Sequence, residues 1–430
     1  MRECHFLMTK GFQSGILFCC MIQTKQVGTT WLFRLYAALF VVLPWSMDIA
    51  PGSWHIRLPS EALTLFIGLS LLWFVWQQPA LLRGIQYRQI LIAAITAWMG
   101  WLSFSMFCST MPLVSFKYWL VDAGQWWVFF AGILLFPGWW RRLLPFFTCS
   151  LGGVVVYTLV HHYQYDFRAD QSMLAPMPFF PDHTLYSAIL VMLLPILPLL
   201  FKKPVAAGLA VLFFTGLLFA NCRAAWLSLM AGLFLLIPFV LHNKWRWLVL
   251  PACLAIVAVA LMQDRIKEKI SHDVSSLERI NRYSSALRMA NDRPLTGFGP
   301  GTFQFRYILF QQADEMTRIS ISDPEKDIRP DQFGRGGGAH SEYFQALAEN
   351  GWPGLAFWLL LVCATVYKGV GMYLSGQNNE HRWLALAVTF SLLTLFLHTL
   401  FNNFLHDGRI AMLFWGQVAC LITGMRNARA

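Results

Sequence analysis

The chain has 430 residues, of which 57% are hydrophobic, 16% aromatic and only 13% charged. A soluble domain carries about 25% charged residues, so a water-solvated globule is excluded. The formal net charge of +11 could suggest nucleic acid, but the basic residues punctuate short loops between long apolar runs, which points to the positive-inside rule instead.

Those runs are ~17–25 residues long, enough to cross ~30 Å of hydrocarbon as helices. Backbone groups in lipid must be satisfied within the segment, which favours helices, and the alternating strands of an outer-membrane barrel are not seen. In chain order, residues 1–28 come first. Arg2 and Lys10 precede an apolar stretch, Phe12 to Ile22, that is too short to span and lacks a small-residue cleavage site. This region reads as a cytoplasmic or interfacial segment, or as the product of a misassigned start.

About twelve spans of the usual length follow, near 29–47, 61–77, 89–107, 114–136, 142–161, 184–201, 204–220, 224–241, 246–263, 352–374, 383–401 and 408–425. The expected organisation is a first transmembrane block over 29–263, a large polar loop over 264–351, and a last block over 352–430 ending in a short cytoplasmic tail. With the N-terminus in the cytoplasm, cytoplasmic connections hold Arg83, Arg88, Arg141, Arg142, Lys202, Lys203, Lys244, Arg246, Lys368, Arg382, Arg426 and Arg429. The opposite short loops hold little beyond Arg57, Arg168 and Arg223. That asymmetry sets the orientation and places the large loop, the loop at 162–183 and Asn221-Cys222-Arg223 outside.

Within the large loop, Ser275-Ser276-Leu277-Glu278 has the pattern of a capping box. Ile280, Tyr283, Leu287 and Ala290 continue at helical spacing until Pro294. Arg288 falls on the polar face with Asn281, Ser285 and Asp292. A second helix is expected from His340 to Asn350, ended by Gly351. A loop of this length is expected to be functional.

Three residues stand out for chemistry. Arg223 sits at the outer mouth of a span, where an arginine is costly; snorkelling to the interface is the bland reading. Arg288 precedes a Gly- and Pro-rich stretch, 294–301, which reads as a tight turn first and as a phosphate cradle second. His340 follows Gly336-Gly337-Gly338-Ala339 and is delivered to a helix start, where the dipole would help keep it a neutral base; an ordinary surface histidine is the alternative. Lys117 at an outer span start, His183 after Asp182, and Tyr343 are secondary candidates. Asn402, Asn403, His406 and Asp407 form a small polar outer cap. Nine scattered cysteines form no C-x-x-C or Cys/His set, so no metal is expected; a Cys108–Cys222 disulfide near the outer surface is a minor possibility.

At these residues the chain resembles the superfamily of O-antigen ligases and O-antigen polymerases, most of all the ligases. The matching stretches are Asn221 to Trp226, Arg288 to Phe303, and Ala339 to Gly354 (AHSEYFQALAENGWPG). The resemblance implies an all-α polytopic membrane glycosyltransferase of the GT-C type in the bacterial inner membrane, with its active site facing the periplasm. It implies transfer of glycan from undecaprenyl diphosphate to lipid A-core with inversion, without metal or other cofactor. It also implies diphosphate-holding roles for Arg223 and Arg288 and a general-base role for His340. An O-antigen polymerase or a protein O-oligosaccharyltransferase of the same superfamily would share these motifs. A transporter is a further alternative from the span count alone, although transporters set their binding groups near the midplane. The expected partners are the lipid-linked glycan, lipid A-core and membrane lipids, with no nucleic acid.

Overall fold

In the computed structural model, the described residues are 29–49, 56–84, 89–240, 274–315, 337–376 and 379–423. They fold almost entirely into helices: α1 (Thr29–Trp45), α2 (Ser60–Gln77), α3 (Ile90–Phe107), α4 (Pro112–Leu135), α5 (Trp139–Tyr163), α6 (His183–Leu193), α7 (Lys203–Phe219), α8 (Arg223–Val240), α9 (Val274–Asp292), α10 (Glu342–Ser375), α11 (Asn379–His398) and α12 (Gly408–Thr423). A two-stranded antiparallel ribbon, β1 (Met47–Ile49) and β2 (Ile56–Leu58), follows α1.

Six helices (α2, α3, α4, α5, α10 and α11) are long and apolar enough to cross a membrane, and α1, α6, α7, α8 and α12 are shorter apolar helices. Side chains such as Trp76, Phe107 and Leu113 stand exposed on the outer faces of this bundle. A chain that turns large apolar groups outward along its helices is suited to lipid rather than water, and the architecture is that of an all-α, multi-pass membrane protein. The expected spans at 61–77, 89–107, 114–136 and 142–161 coincide with α2 to α5. The span expected at 184–201 breaks instead, because Pro195 and Pro198 withdraw backbone donors and α6 stops at Leu193. The expected span at 246–263 and the segment 1–28 lie outside the described residues.

Inside the bundle the packing is aromatic. Phe396 of α11 meets Trp358 of α10 and Phe414 of α12 edge to face, and Trp358 and Phe414 meet at a tilt, all at centroid distances of 6.0–6.2 Å. Such contacts add about 0.5–1.5 kcal/mol each beyond area burial. The polar helix α9 packs across one end of the bundle on α10. Its last turn reaches Asp292, and Pro294 prevents continuation, as expected. Ser275 lies within the described span of α9, and Glu278 pairs with Arg282 at 2.8 Å.

Gly351 interrupts α10 with φ 71°, so the helix expected to end there does so, and a second helical stretch starts beyond it. Near this break the Gly-rich loop inserts as a wedge. Phe298 and Gly299 donate to the carbonyls of Ala348 and Glu349 at 3.2 and 2.8 Å, and Thr110 donates to the Phe298 carbonyl at 3.0 Å. Gly297 has φ 63°, and a Cβ there would lie 2.3 Å from the Glu349 backbone. Close approach is what glycine permits here. With these amides occupied, the stretch is a structural turn that fixes α9 against α3, α4 and α10.

Candidate active site

His340 is carried on a short arm, Gly337-Gly338-Ala339, that several side chains brace. Arg282 of α9 donates to the Gly338 carbonyl at 2.7 Å, while its guanidinium pairs with Glu278 and lies 4.7 Å over the Tyr307 ring. The Ala339 amide donates to Gln345 Oε1 at 2.8 Å. A Cβ on Gly338 would come within 2.1 Å of the Asn403 side chain, so the arm runs closely against the turn after α11. Tyr283 donates to the backbone carbonyl of His340 at 3.1 Å and stacks on Phe344 at 4.3 Å.

These contacts hold His340 in the left-handed region, at φ 54°. A non-glycine residue there costs of order 1–3 kcal/mol and persists only when its surroundings determine it. Burial lowers the basicity of its imidazole, and the neighbouring Arg282 and Arg279 charges lower it further, to about 4. The base is therefore neutral near pH 7. Its neutrality was expected from a helix dipole, but α10 begins only at Glu342, and burial is the first cause.

Arg279 and Arg282 are the α9 cations felt at His340, whereas Arg288 has another engagement. Its guanidinium binds both Glu315 carboxylate oxygens at 2.5 Å and the Phe310 carbonyl at 2.8 Å. Arg279 and Arg288 are nine residues apart, about 180° around a helix of 3.6 residues per turn. Asn281, seven residues before Arg288, also donates to Glu315, through the backbone carbonyl. The expected polar face of α9 is thus real, but it turns towards the segment around Glu315. Sequence spacing could have separated the faces: Arg279, Arg282 and Tyr283 share the i, i+3, i+4 stripe.

Arg223 opens α8 directly after the buried Cys222, whose sulfur lies 4.0 Å from His398 Nε2. Asp182 caps α6 by accepting from the amides of Thr184 and Leu185 at 2.7 and 2.9 Å, which sets His183 at the first turn. The Asp182 charge acts on Cys222, His183 and His340. The starts of α6 and α8, the end of α11 and the His340 arm therefore gather at one mouth. Cys222 and Cys108 are both free thiols. Tyr343 donates to the Phe396 carbonyl at 3.1 Å and so clasps α10 to α11.

Lys117 belongs to a separate flank on α4, where its charge acts on Glu61. Nearby, Asp407 holds Arg409 through two contacts of 2.9 Å and Arg57 at 2.5 Å. His406 pairs with Asp122 at 2.8 Å beside a cavity of about 50 Å³ that is also lined by Glu342, Gln345 and Glu349. Burial alone would discharge His406, but Asp122, Glu342 and Glu349 push it up to about 9. Among the described residues, no group of three or more His, Cys, Asp or Glu side chains is arranged to hold a metal ion.

The start of α8, the helix α9 and the arm that carries His340 fall within one recognisable segment, whereas α6 and α11 lie outside it. Residues 208–359 match the O-antigen ligase family model. The O-antigen ligase match runs from α7 through α8 and α9 to the first half of α10, and so includes Arg223, Arg279, Arg288 and His340. The resemblance to the O-antigen ligase superfamily is borne out by it. No curated protein matches the chain.

Proposed function

We propose that this protein is an O-antigen ligase of the GT-C type. It would lie in the bacterial inner membrane and transfer glycan from undecaprenyl diphosphate to lipid A-core at the periplasmic face. The observation that supports this best is a neutral, half-buried imidazole held beside cationic α9 side chains, inside the stretch that matches the family. In this reading His340 accepts the proton of the acceptor hydroxyl while its oxygen attacks the anomeric carbon. The bond from that carbon to phosphate breaks, the configuration inverts, and undecaprenyl diphosphate leaves with the electron pair.

The leaving diphosphate needs charge neutralisation, which arginines supply by bidentate contact while remaining charged. In this reading Arg223 and Arg279 would supply it, and Arg288 would join by exchanging Glu315 for the donor. General-base help is worth about 10²–10⁴-fold, and fixed donors on developing charge about 10²–10³-fold. The polymerase and the protein O-oligosaccharyltransferase share this donor chemistry and differ in acceptor. A null strain distinguishes them. Loss of all O-antigen with accumulation of lipid-linked polymer supports the ligase. Single repeat units on core would mean the polymerase, and unchanged lipopolysaccharide with unglycosylated protein the protein transferase.

A further inference from the structure

We infer that His398 and His183, together with Arg279, form a phosphate-binding cradle at the mouth beside His340. The inference rests on the glycosyl-transfer reading and names residues for its anionic substrate that neither the family match nor the motifs assign. His398 is 1% exposed, and its Nδ1 is buried with no hydrogen-bond partner. The same holds for His183 Nδ1 and Arg279 Nε. These three atoms come from the end of α11, the start of α6 and the middle of α9, and the Arg279 charge acts on both histidines as well as on His340.

Buried polar atoms are rarely left without partners, since each forfeits the hydrogen bond that water would have given it. The chemistry of this set selects an anion. Arg279 Nε–H is a donor only. The Cys222 sulfur lies 4.0 Å from His398 Nε2, so Nδ1 is the ring nitrogen left to meet a ligand, and as N–H it would be a second donor. Asp182, the carboxylate at this mouth, is already occupied by the α6 amides and the Thr184 hydroxyl. Donors gather here, and among the described residues no acceptor meets these three atoms. Phosphate oxygens of a lipid-linked diphosphate would supply it, next to the imidazole that takes the proton.

The test uses the full-length protein in phosphatidylcholine nanodiscs, with farnesyl diphosphate as probe and farnesol as the uncharged control. The wild type is expected to bind the diphosphate in preference to farnesol. His398→Phe and His183→Phe should each weaken that binding roughly 10- to 100-fold, the range for hydrogen bonds to charged groups. His398→Gln, which keeps an N–H donor, should recover part of it. His381→Ala, at the other end of α11, should bind as wild type. Should either phenylalanine variant fail to fold, Arg279→Gln carries the same expectation. Diphosphate binding by the wild type that these variants leave within twofold would overturn the cradle while leaving the glycosyl-transfer reading intact, and would assign the unpartnered atoms to ordered water. Equal affinity for farnesol and its diphosphate would overturn both.

Discussion

The Tyr283 hydroxyl stands 3.1 Å from the His340 carbonyl and 3.0 Å from the Leu400 carbonyl, and its one proton is shared between them. One side chain of α9 thereby ties the arm that bears the imidazole to the turn that follows α11. Glu342 repeats the connection, donating its amide to Thr399 at 3.0 Å and accepting at its carboxylate from the Phe404 and Leu405 amides. The position of His340 is thus set from three directions.

Removing the imidazole should show its role directly. His340→Ala is expected to lower glycan transfer about 10²–10⁴-fold at normal expression and unchanged donor binding. Reconstituted transfer from undecaprenyl diphosphate checks this, and wild-type turnover would end the general-base role.

The pH profile gives a second check. The folded-state basicity of His340 is lowered from 6.5 to about 4. Its contribution to stability is therefore present above pH 6.5 and lost as pH falls through 6.5 towards about 4. The acid limb of kcat/KM, which reports the free enzyme, should lie near pH 4. A bound diphosphate would offset the Arg279 and Arg282 charges, so the acid limb of kcat should move to higher pH. Coincident limbs in the two profiles would contradict this electrostatic account.

His406 behaves in the opposite sense. Its basicity is raised from 6.5 to about 9, so its contribution is complete below pH 6.5 and disappears as pH rises through about 9. Melting of wild type and His406→Gln, followed between pH 6 and 10, should show a gap that closes at the alkaline end. A constant gap would mean that packing, rather than charge, holds this histidine.

Arg288 and Glu315 lend themselves to a double-mutant cycle. If their pairing is structural, Arg288→Ala, Glu315→Ala and the double variant should lose similar stability, about 1 kcal/mol for a partly exposed pair. If Arg288 instead moves to the donor, only variants that remove it should lose transfer, by roughly 10²-fold or more. Transfer rates and melting temperatures on the same preparations separate the two outcomes.

Gly338→Ala should also be informative, because its Cβ would fall 2.1 Å from Asn403. Overpacking of this kind costs about 1–3 kcal/mol and should displace the His340 arm, lowering transfer. Asn403→Ala in the same chain is expected to restore part of it. No rescue would place the effect in the backbone of the arm instead.

Much of this was legible before the structure. Hydropathy located α2 to α5 closely, because a span of fixed length needs little besides composition. Gly351 and Pro294 marked their helix ends by backbone chemistry alone. The cradle around His340 was less accessible. Arg288 attracts notice beside the Gly-rich turn, yet it is the Arg279 charge that acts on the imidazole, because only the phase of α9 on α10 decides which face turns inward. His398 carries no local signal at all: an imidazole at the end of an apolar helix reads as packing until α6, α8 and α9 are brought against it. The pairing of Arg57 with Asp407, 350 residues apart, is likewise a product of tertiary closure.

The anchoring of Tyr283 and Glu342 on residues 399–405 has one further implication. These acceptors and donors lie beyond residue 359, where the family match stops. A fragment trimmed to the matched stretch would keep the imidazole but lose the ledge on which it rests. Cutting the polypeptide between α10 and α11 and supplying the two pieces in trans should therefore restore both folding and turnover together, or neither.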